Sequence, residues 1–569
     1  MAASTRRGLL QLGAHSCVVQ SLHIVFVALF TEYYVHGFLL VVDTPNVNTA
    51  GLTDMRGWRL RMSKLGLCAL IAAQLVYIVC SALDRAGVVA FSSVAARAWR
   101  LAPQQCLGSN EHRFTFVFGV SWWVLRLPLV PSAVSFTLAT AVFSIFSDRC
   151  TAFAQNAARE MAAQRPKEEP WVQLASRAAS GGAAVVVLVA ALLYDGSSPT
   201  REPLRGFHWY LLVLCIAAVC VLSGAQRWRR SGHGEGALSA AREECSVGSR
   251  SVSGFGDAAM VEFHTFVRQT WQRRSMRAFL VVRGLHCYAH AAVVGFFHLF
   301  LTLGCAPHLS ASVRAVILTL VVAAPSFLAP MHAAGVNVVG KKCLVLVMLL
   351  GMFALSLVSL MAAFLTRGAA DVAAASTFGE GSTAASSVAA IWLCAVLLTL
   401  LRLLLDSVRA VLDLAQEDVV EEDVVIFDRA APMAAWSERL CAVVTAPMES
   451  LGRITALLLL AFTHAFEGVA VVSTATTSST ANPRVASMTP KATTALALRR
   501  AVSSSVSPAA VVTTSMAPTV LALLSLHTCG VTLTMLVVWH RYYNLEGRHL
   551  RFVQMTTRRR KDEQSVALV

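Results

Sequence analysis

Residues 343 to 365 read CLVLVMLLGMFALSLVSLMAAFL, a run of 23 positions without a single charged side chain. A helix rises about 1.5 Å per residue and must cover the ~30 Å hydrocarbon layer, so about 20 apolar residues make one crossing. This run is a membrane span. Blocks of the same character recur at 16 to 42, 65 to 83, 114 to 131, 132 to 147, 171 to 194, 207 to 224, 277 to 303, 310 to 336, 343 to 365, 387 to 413, 440 to 473 and 516 to 539. The sequence therefore predicts an all-α integral membrane protein with about twelve transmembrane helices. The pair at 114 to 147 is separated only by a tight turn near Pro128 and Pro131.

Composition agrees. Of 569 residues, 56% are hydrophobic and 14% charged, against about 45–50% and about 25% in a soluble protein. The mean hydropathy is +0.61. The formal net charge of +16 sits in the connecting segments, and no basic stretch carries the interleaved aromatics of a strand-binding groove, so nucleic acid is not an expected partner. The 14 cysteines are scattered without a CxxC pair, and most, such as Cys68, Cys80, Cys215, Cys220, Cys343 and Cys394, lie inside spans as small apolar packers. The first apolar block is too long for a signal-peptide core and reads as a retained span. No P-loop, GxSxG elbow or HExxH pair occurs; the expectation is no soluble-type catalysis, no cofactor and no metal, with the lipid bilayer as the first partner.

The polar stretch from Arg227 to Arg277 divides six spans from six. The expected organisation is an N-terminus over 1 to 15, six spans within 16 to 224, a basic linker over 225 to 276, six spans within 277 to 539, and a basic tail over 540 to 569. Within the linker, VEFHTFVRQTWQRR has amphipathic spacing that suits the membrane surface. Basic residues in the linker, at Lys341 and Lys342, and at Arg551, Arg558, Arg559, Arg560 and Lys561 fall on one side with twelve spans, so both termini are expected in the cytoplasm. Arg56, Arg59, Arg61 and Lys64, in the loop after the first span, run against that rule. The Ser/Thr/Ala-rich loop from Ser473 to Ser507 reads as an external excursion.

A burial-averse residue inside a span usually faces a cavity or a partner, because a charge at mid-bilayer costs about 2.5–3.5 kcal/mol on insertion scales. Glu32 lies beside Tyr33 and Tyr34 in the first span, Arg126 in the third, Asp148 and Arg149 at the end of the fourth, and Arg283 with His286 and His290 in the seventh. Arg402, Asp406, Arg409 and Asp413 fall on one stripe of the tenth span with opposite charges a turn apart. Glu449 and Arg453 repeat that spacing in the eleventh, and Asp84 and Arg85 close the second. Each of these can be a permanent structural pair or gate element, or a contact for a solute or ion. His286 and His290 share a helix face without a third ligand at metal-site spacing, which suits a polar core. Pro325, Pro330 and Pro447 are expected helix kinks, and the acidic run from Glu417 to Asp423 is read as a solvated helix end able to meet the basic tail.

Twelve spans divided six and six by a basic linker resemble the major facilitator superfamily, whose layout implies two six-helix bundles rocking about a central site. The segment RLLLDSVRAVLDLAQEDVVEED from Arg402 resembles a tenth-helix stretch of the transmembrane protein 180 group, itself similar to the sugar-cation symporters: Arg402, Asp406, Asp418, Glu421, Glu422 and Asp423 match without a gap. Weaker similarity covers LHIVFVALFTEYYVHG, FSIFSDRCTAFAQNA, GLHCYAHAAVVGFFHLFL and APSFLAP. The superfamily's loop signature is approached at residues 50 to 59, where Leu52, Asp54, Gly57 and Arg59 match but Ala50 and Met55 do not, and in the loop after the first span rather than the second. A chance match there is favoured, since Asp84 stands where the symporters keep an acid.

The resemblance implies a cavity lined by spans one, four, seven and ten, hence by Glu32, Asp148, Arg283 and Asp406. It implies a secondary transporter of a small polar solute, with Glu32 and Asp148 as proton or sodium carboxylates and Arg283, Arg402 and Asp406 as solute contacts. Asp84, Arg85, Arg149, Arg409, Asp413, Glu449 and Arg453 are then gating or structural pairs. The alternative is a facilitator-fold membrane protein that has lost transport and acts as a scaffold or binding protein.

Overall fold

The structure, a computed structural model, describes residues 3–43, 59–62, 64–86, 110–125, 130–164, 169–194, 203–231, 257–305, 309–375, 380–427, 433–462 and 517–545, with Arg429 and parts of 547–559. The helices are α1 (Ala3–Tyr34), α2 (Lys64–Ala86), α3 (Asn110–Val124), α4 (Ser132–Gln164), α5 (Glu169–Leu193), α6 (Pro203–Ser231), α7 (Asp257–Gln272), α8 (Arg274–Val293), α9 (Phe297–Cys305), α10 (Ala311–Val339), α11 (Lys341–Ala375), α12 (Glu380–Ile426), α13 (Ala434–Phe462) and α14 (Ala517–Tyr542). A π-turn, Val35–Leu39, follows α1 and leads into a hairpin, β1 (Leu40–Asp43) against β2 (Arg59–Met62), with Asp43 opposite Arg59.

Among the described residues, eight helices are long and apolar enough to cross a bilayer, and Leu65–Cys80, Phe114–Val124 and Ser132–Ser144 are shorter apolar stretches. The seventh span expected from the sequence, 277 to 303, is split across α8 and α9. Side chains such as Phe327, Leu365 and Val338 point outward, as lipid-facing residues do where no water competes for them. The protein is an integral, multi-pass, all-α membrane protein.

The hydrogen-bond ladder is interrupted at Val294–Phe296, between α8 and α9. Gly295 sits there with its Cα so close to the preceding turn that a Cβ would stand 2.8 Å from the Ala291 carbonyl oxygen. At the other sharp corner, Gly340 adopts φ 84° and ψ 154° between α10 and α11, a positive-φ conformation that glycine reaches at no steric cost. Pro325 and Pro330 lie inside α10 and Pro447 inside α13, each helix continuing through them.

Helix neighbours repeat with a shift of six spans. α1 packs on α5 as α8 packs on α13; α2 on α4 as α10 on α12; α3 on α4 and α6 as α11 on α12 and α14. The two sets meet along α2 against α13 and α5 against α10, pairings that map onto each other under the same shift. Small residues permit the closest crossings. A Cβ on Gly452 would stand 2.2 Å from the Tyr288 carbonyl oxygen of α8, and one on Gly182 would stand 2.8 Å from Cys17 Sγ of α1.

The amphipathic linker helix α7 is docked on protein. Phe263 and Phe266 lie edge-on to Trp436 of α13 at 6.0 and 5.5 Å, and the Arg439 guanidinium covers Phe263 at 4.5 Å.

Candidate functional site

The stripe on α12 faces other helices. Arg402 is 5% exposed, sits 4.8 Å above the Phe297 ring of α9, and places Nε 3.8 Å from Asp406 Oδ2; its Nη1 has no hydrogen-bond partner. Asp406 Oδ1 is 3.0 Å from His290 Nε2 of α8, and one turn earlier on that helix His286 Nε2 lies 2.9 Å from the Leu405 carbonyl oxygen. The spacing of His286 and His290, four apart on α8, brings both rings to the stripe 5.7 Å from each other.

Further along, the expected pairing within α12 is replaced by one between helices. Asp413 accepts from Arg283 Nη2 of α8 at 2.5 Å and leaves Arg409, one turn before it, without an ion pair among the described residues. The Arg409 side chain is exposed and lies within electrostatic reach of Asp413 and Asp406 on its own helix, His23 on α1, Cys287 on α8 and Glu449 on α13. Its electrostatic neighbours on three other helices place the Arg409 head group on the side of α12 that faces the bundle. Asp413 and Glu449 open onto the same space, at 52% and 42% side-chain exposure. Glu449 also holds Arg453 at 2.5 Å within α13, and on the opposite wall His23 Nδ1 is 2.6 Å from Ser147 Oγ of α4.

Glu32 occupies the far end of α1. Its Oε2 meets His298 Nδ1 of α9, and both side chains are buried. Phe297 and His298 are consecutive, so α9 touches the α12 stripe with one side chain and Glu32 with the next. Around this contact stands an aromatic wall: Phe30 is stacked on Phe136 at 5.4 Å, Trp122 is edge-on to Phe30 at 5.0 Å, and Tyr33 Oη is 3.1 Å from His208 Nε2.

The acidic run on α12 departs from its expected solvated state. Asp418, Glu422 and Asp423 are 3%, 4% and 4% exposed. Arg273 donates to Asp423 at 2.9 Å, to Glu422 and to the Val419 carbonyl oxygen; Arg429 reaches Asp423 at 2.6 Å; Ser275 donates to Glu422 at 2.5 Å. Lys341 donates to Asp418 at 2.8 Å, and His549 of the tail lies 3.1 Å from Glu422. The physical reason is compensation: carboxylates next to three fixed cations and a hydroxyl need no water. The linker, the α10–α11 corner and the tail thus gather at one end of α12, as their shared basic character led us to expect.

Of the residues singled out in the sequence, Arg283, Arg402, Asp406, Arg409, Asp413, Glu449 and Arg453 come together at the cleft, and Glu32 lies beyond Phe297. Arg126 and the side chains of Asp84, Arg85, Asp148 and Arg149 lie outside the described residues, as does the Ser473 to Ser507 loop. Sequence reasoning missed His23 and His298 as partners, although a polar side chain inside GFFHLFL was a usable signal; it read Arg273 and Lys341 only as markers of orientation. Among the described residues, no group of three or more His, Cys, Asp or Glu is arranged to hold a metal ion.

No protein-family model matches this chain. No curated protein matches it either. Among solved structures, a point mutant of the nucleoside transporter NupG is 9% identical, with 93% of this chain and 99% of that one covered at a TM-score of 0.51. A second NupG structure gives 12% identity, 94% and 99% coverage and a TM-score of 0.46. A structure described as giving insight into substrate recognition in proton dependent oligopeptide transporters gives 12%, 96% and 100%, and 0.45. The first of these establishes a shared fold.

Proposed function

We propose that the chain is a secondary transporter that moves a small polar solute by alternating access, coupled to a proton or sodium ion. The observation that carries this reading is the asymmetry of the α12 stripe: a buried carboxylate and histidine join α1 to α9 at one end, while Arg409, Asp413 and Glu449 open to water at the other. That is the arrangement of a carrier closed on one side and open on the other. The fold shared with a nucleoside transporter supports it.

In this reading the bodies over 16 to 224 and 277 to 539 rock about the α2–α13 and α5–α10 contacts, with the linker, both termini and the tail in the cytoplasm. Arg283, Arg402 and Asp406 contact the solute. Glu32, poised against His298, and Asp148 bind the coupling ion, since a carboxyl group removed from water takes up a proton readily. Asp84, Arg85 and Arg149 belong to the gates, and the transmembrane protein 180 group is the proposed kin. The second reading, a scaffold without transport, draws on the buried ion pairs around Arg273, which tie the linker, α12 and the tail together.

The test is uptake of labelled solutes by purified protein in vesicles, with and without a proton or sodium gradient, comparing wild type with Glu32→Gln and Asp406→Asn. Gradient-driven uptake that both substitutions reduce is the expected result. Equal flux in all three removes the ion and solute assignments, and absence of wild-type flux under every gradient favours the scaffold.

A further inference from the structure

Beyond α14 the chain turns back on the bundle as a helix with two unlike faces. Gly547 takes φ 58° at the turn, Tyr543 and Leu545 are buried just before it, and residues 549 to 556 are helical. The inner face is fixed to the protein: His549 lies 3.1 Å from Glu422 of α12, and Val553, one turn on, is buried. The outer face carries Arg551, Phe552 and Met555, with Arg559 following, and all four are exposed, the two apolar side chains at 57% and 64%. Such a face suits a partner that is apolar below and anionic above.

The depth of this helix follows from its contacts. Lys341 opens the spanning helix α11, and its Nζ donates to Asp418 at 2.8 Å. Trp539 Nε1 donates to the Lys342 carbonyl oxygen at 3.1 Å, so an indole and two lysines mark one level, where hydrocarbon gives way to headgroups. Glu422 is one turn beyond Asp418 on α12, about 6 Å at about 1.5 Å per residue. The headgroup layer on each side of a bilayer is about 5–8 Å thick, so His549 and the helix it begins lie within that layer.

The sign of the charge is set by the whole segment. From 546 to 563 the sequence carries six basic side chains, Arg548, Arg551, Arg558, Arg559, Arg560 and Lys561, against Glu546, Asp562 and Glu563 at the two edges. No acid falls from 547 to 561. Among the described residues, the acids open to water at this end, Glu417, Glu421 and Glu438, stand on α12 and α13 and not on the tail. Across the shared Glu422 the linker repeats the chemistry: Trp271 is half exposed between the exposed Arg268 and Arg274, and no acid occurs from 263 to 370.

We propose that the tail helix binds anionic phospholipid at the bilayer surface, with Phe552 and Met555 seated among the headgroups and upper acyl atoms and Arg551 and Arg559 on the phosphates. Aromatic and thioether side chains supply apolar anchorage at that depth, and arginine forks match phosphate oxygens. The anionic leaflet of a cell membrane is the cytoplasmic one, the side proposed above for the tail. This contact is independent of whether the protein carries a solute.

The test is hydrogen exchange of the full-length protein in bilayer discs of phosphatidylcholine alone or with about one third phosphatidylserine. Amides over 549 to 556 are expected to exchange about tenfold more slowly in the anionic bilayer, because lipid binds the ordered helix and not its opened form. Salt at about 0.5 M is expected to close most of that gap. Arg551→Gln with Arg559→Gln, and Phe552→Ser with Met555→Ser, are each expected to remove the difference, while amides of α11 keep their wild-type rates and so report an intact bundle. Equal exchange of the wild-type tail in the two bilayers overturns the proposal, and so does a difference that both double variants keep. Slowing in the neutral bilayer by inorganic phosphate or soluble phosphoserine also overturns it, because the ligand is then a free anion and not the lipid surface.

Discussion

Glu32 and His298 stand 266 positions apart in the chain and share one buried hydrogen bond, the contact by which α1 meets α9. A buried partner left alone pays its full desolvation, about 1–3 kcal/mol and more for a charged group. Glu32→Ala and His298→Ala are each expected to lower the thermal midpoint, and the double substitution to cost less than their sum. Additive effects in that cycle would show that the pair is not an energetic unit.

Arg273 neutralises Glu422 and Asp423 in a site where all three side chains are 6% exposed. Arg273→Ala leaves two carboxylates buried with one fewer cation, a change that typically costs about 3–5 kcal/mol. Arg274→Ala, on the next and exposed residue, is expected to stay within about 0.5 kcal/mol. Thermal unfolding of the two variants side by side decides the matter, and equal midpoints would mean the cluster is not structural.

Gly452 and Gly351 predict opposite signs. A methyl group on Gly452 runs into the Tyr288 backbone, whereas one on Gly351 meets nothing within 4 Å. Gly452→Ala therefore forces α8 and α13 apart at about 1–3 kcal/mol. Gly351→Ala, inside α11, is expected to gain up to about 1 kcal/mol of helix propensity. Thermal midpoints of the two variants measure both.

The Arg283–Asp413 pair spans α8 and α12 at 2.5 Å, with the carboxylate 52% exposed. Partial hydration screens it, so a double-mutant cycle of Arg283→Gln and Asp413→Asn is expected to return a coupling near the low end of the 0.5–3 kcal/mol range for neighbours, about 1 kcal/mol. A coupling of zero would place the pair apart in the membrane.

Much of this was legible in the order of residues. Apolar runs such as 343 to 365 announce spans because the thickness of a bilayer is a fixed length and a helix has a fixed rise. The period of Arg402, Asp406, Arg409 and Asp413 announces a common face, and the structure turns that face toward α8 and α9, with Asp406 against His290, Asp413 against Arg283 and Arg402 over Phe297. The break at Gly295 was not legible, because a glycine in an apolar run is also compatible with an unbroken helix; the approach of the Ala291 carbonyl is a consequence of the chain's path.

The sequence by itself determined that the chain enters the membrane, about how many times, and which side chains are too costly to leave facing lipid, since each of those follows from the local free energy of transfer. Only the tertiary structure decided the partners: Asp413 with Arg283 rather than Arg409, Glu32 with His298, and Glu422 with Arg273 rather than water. Pairing is a property of distance between helices, and Coulomb attraction in a low-dielectric interior depends on who is nearest in space, which no local pattern of residues encodes.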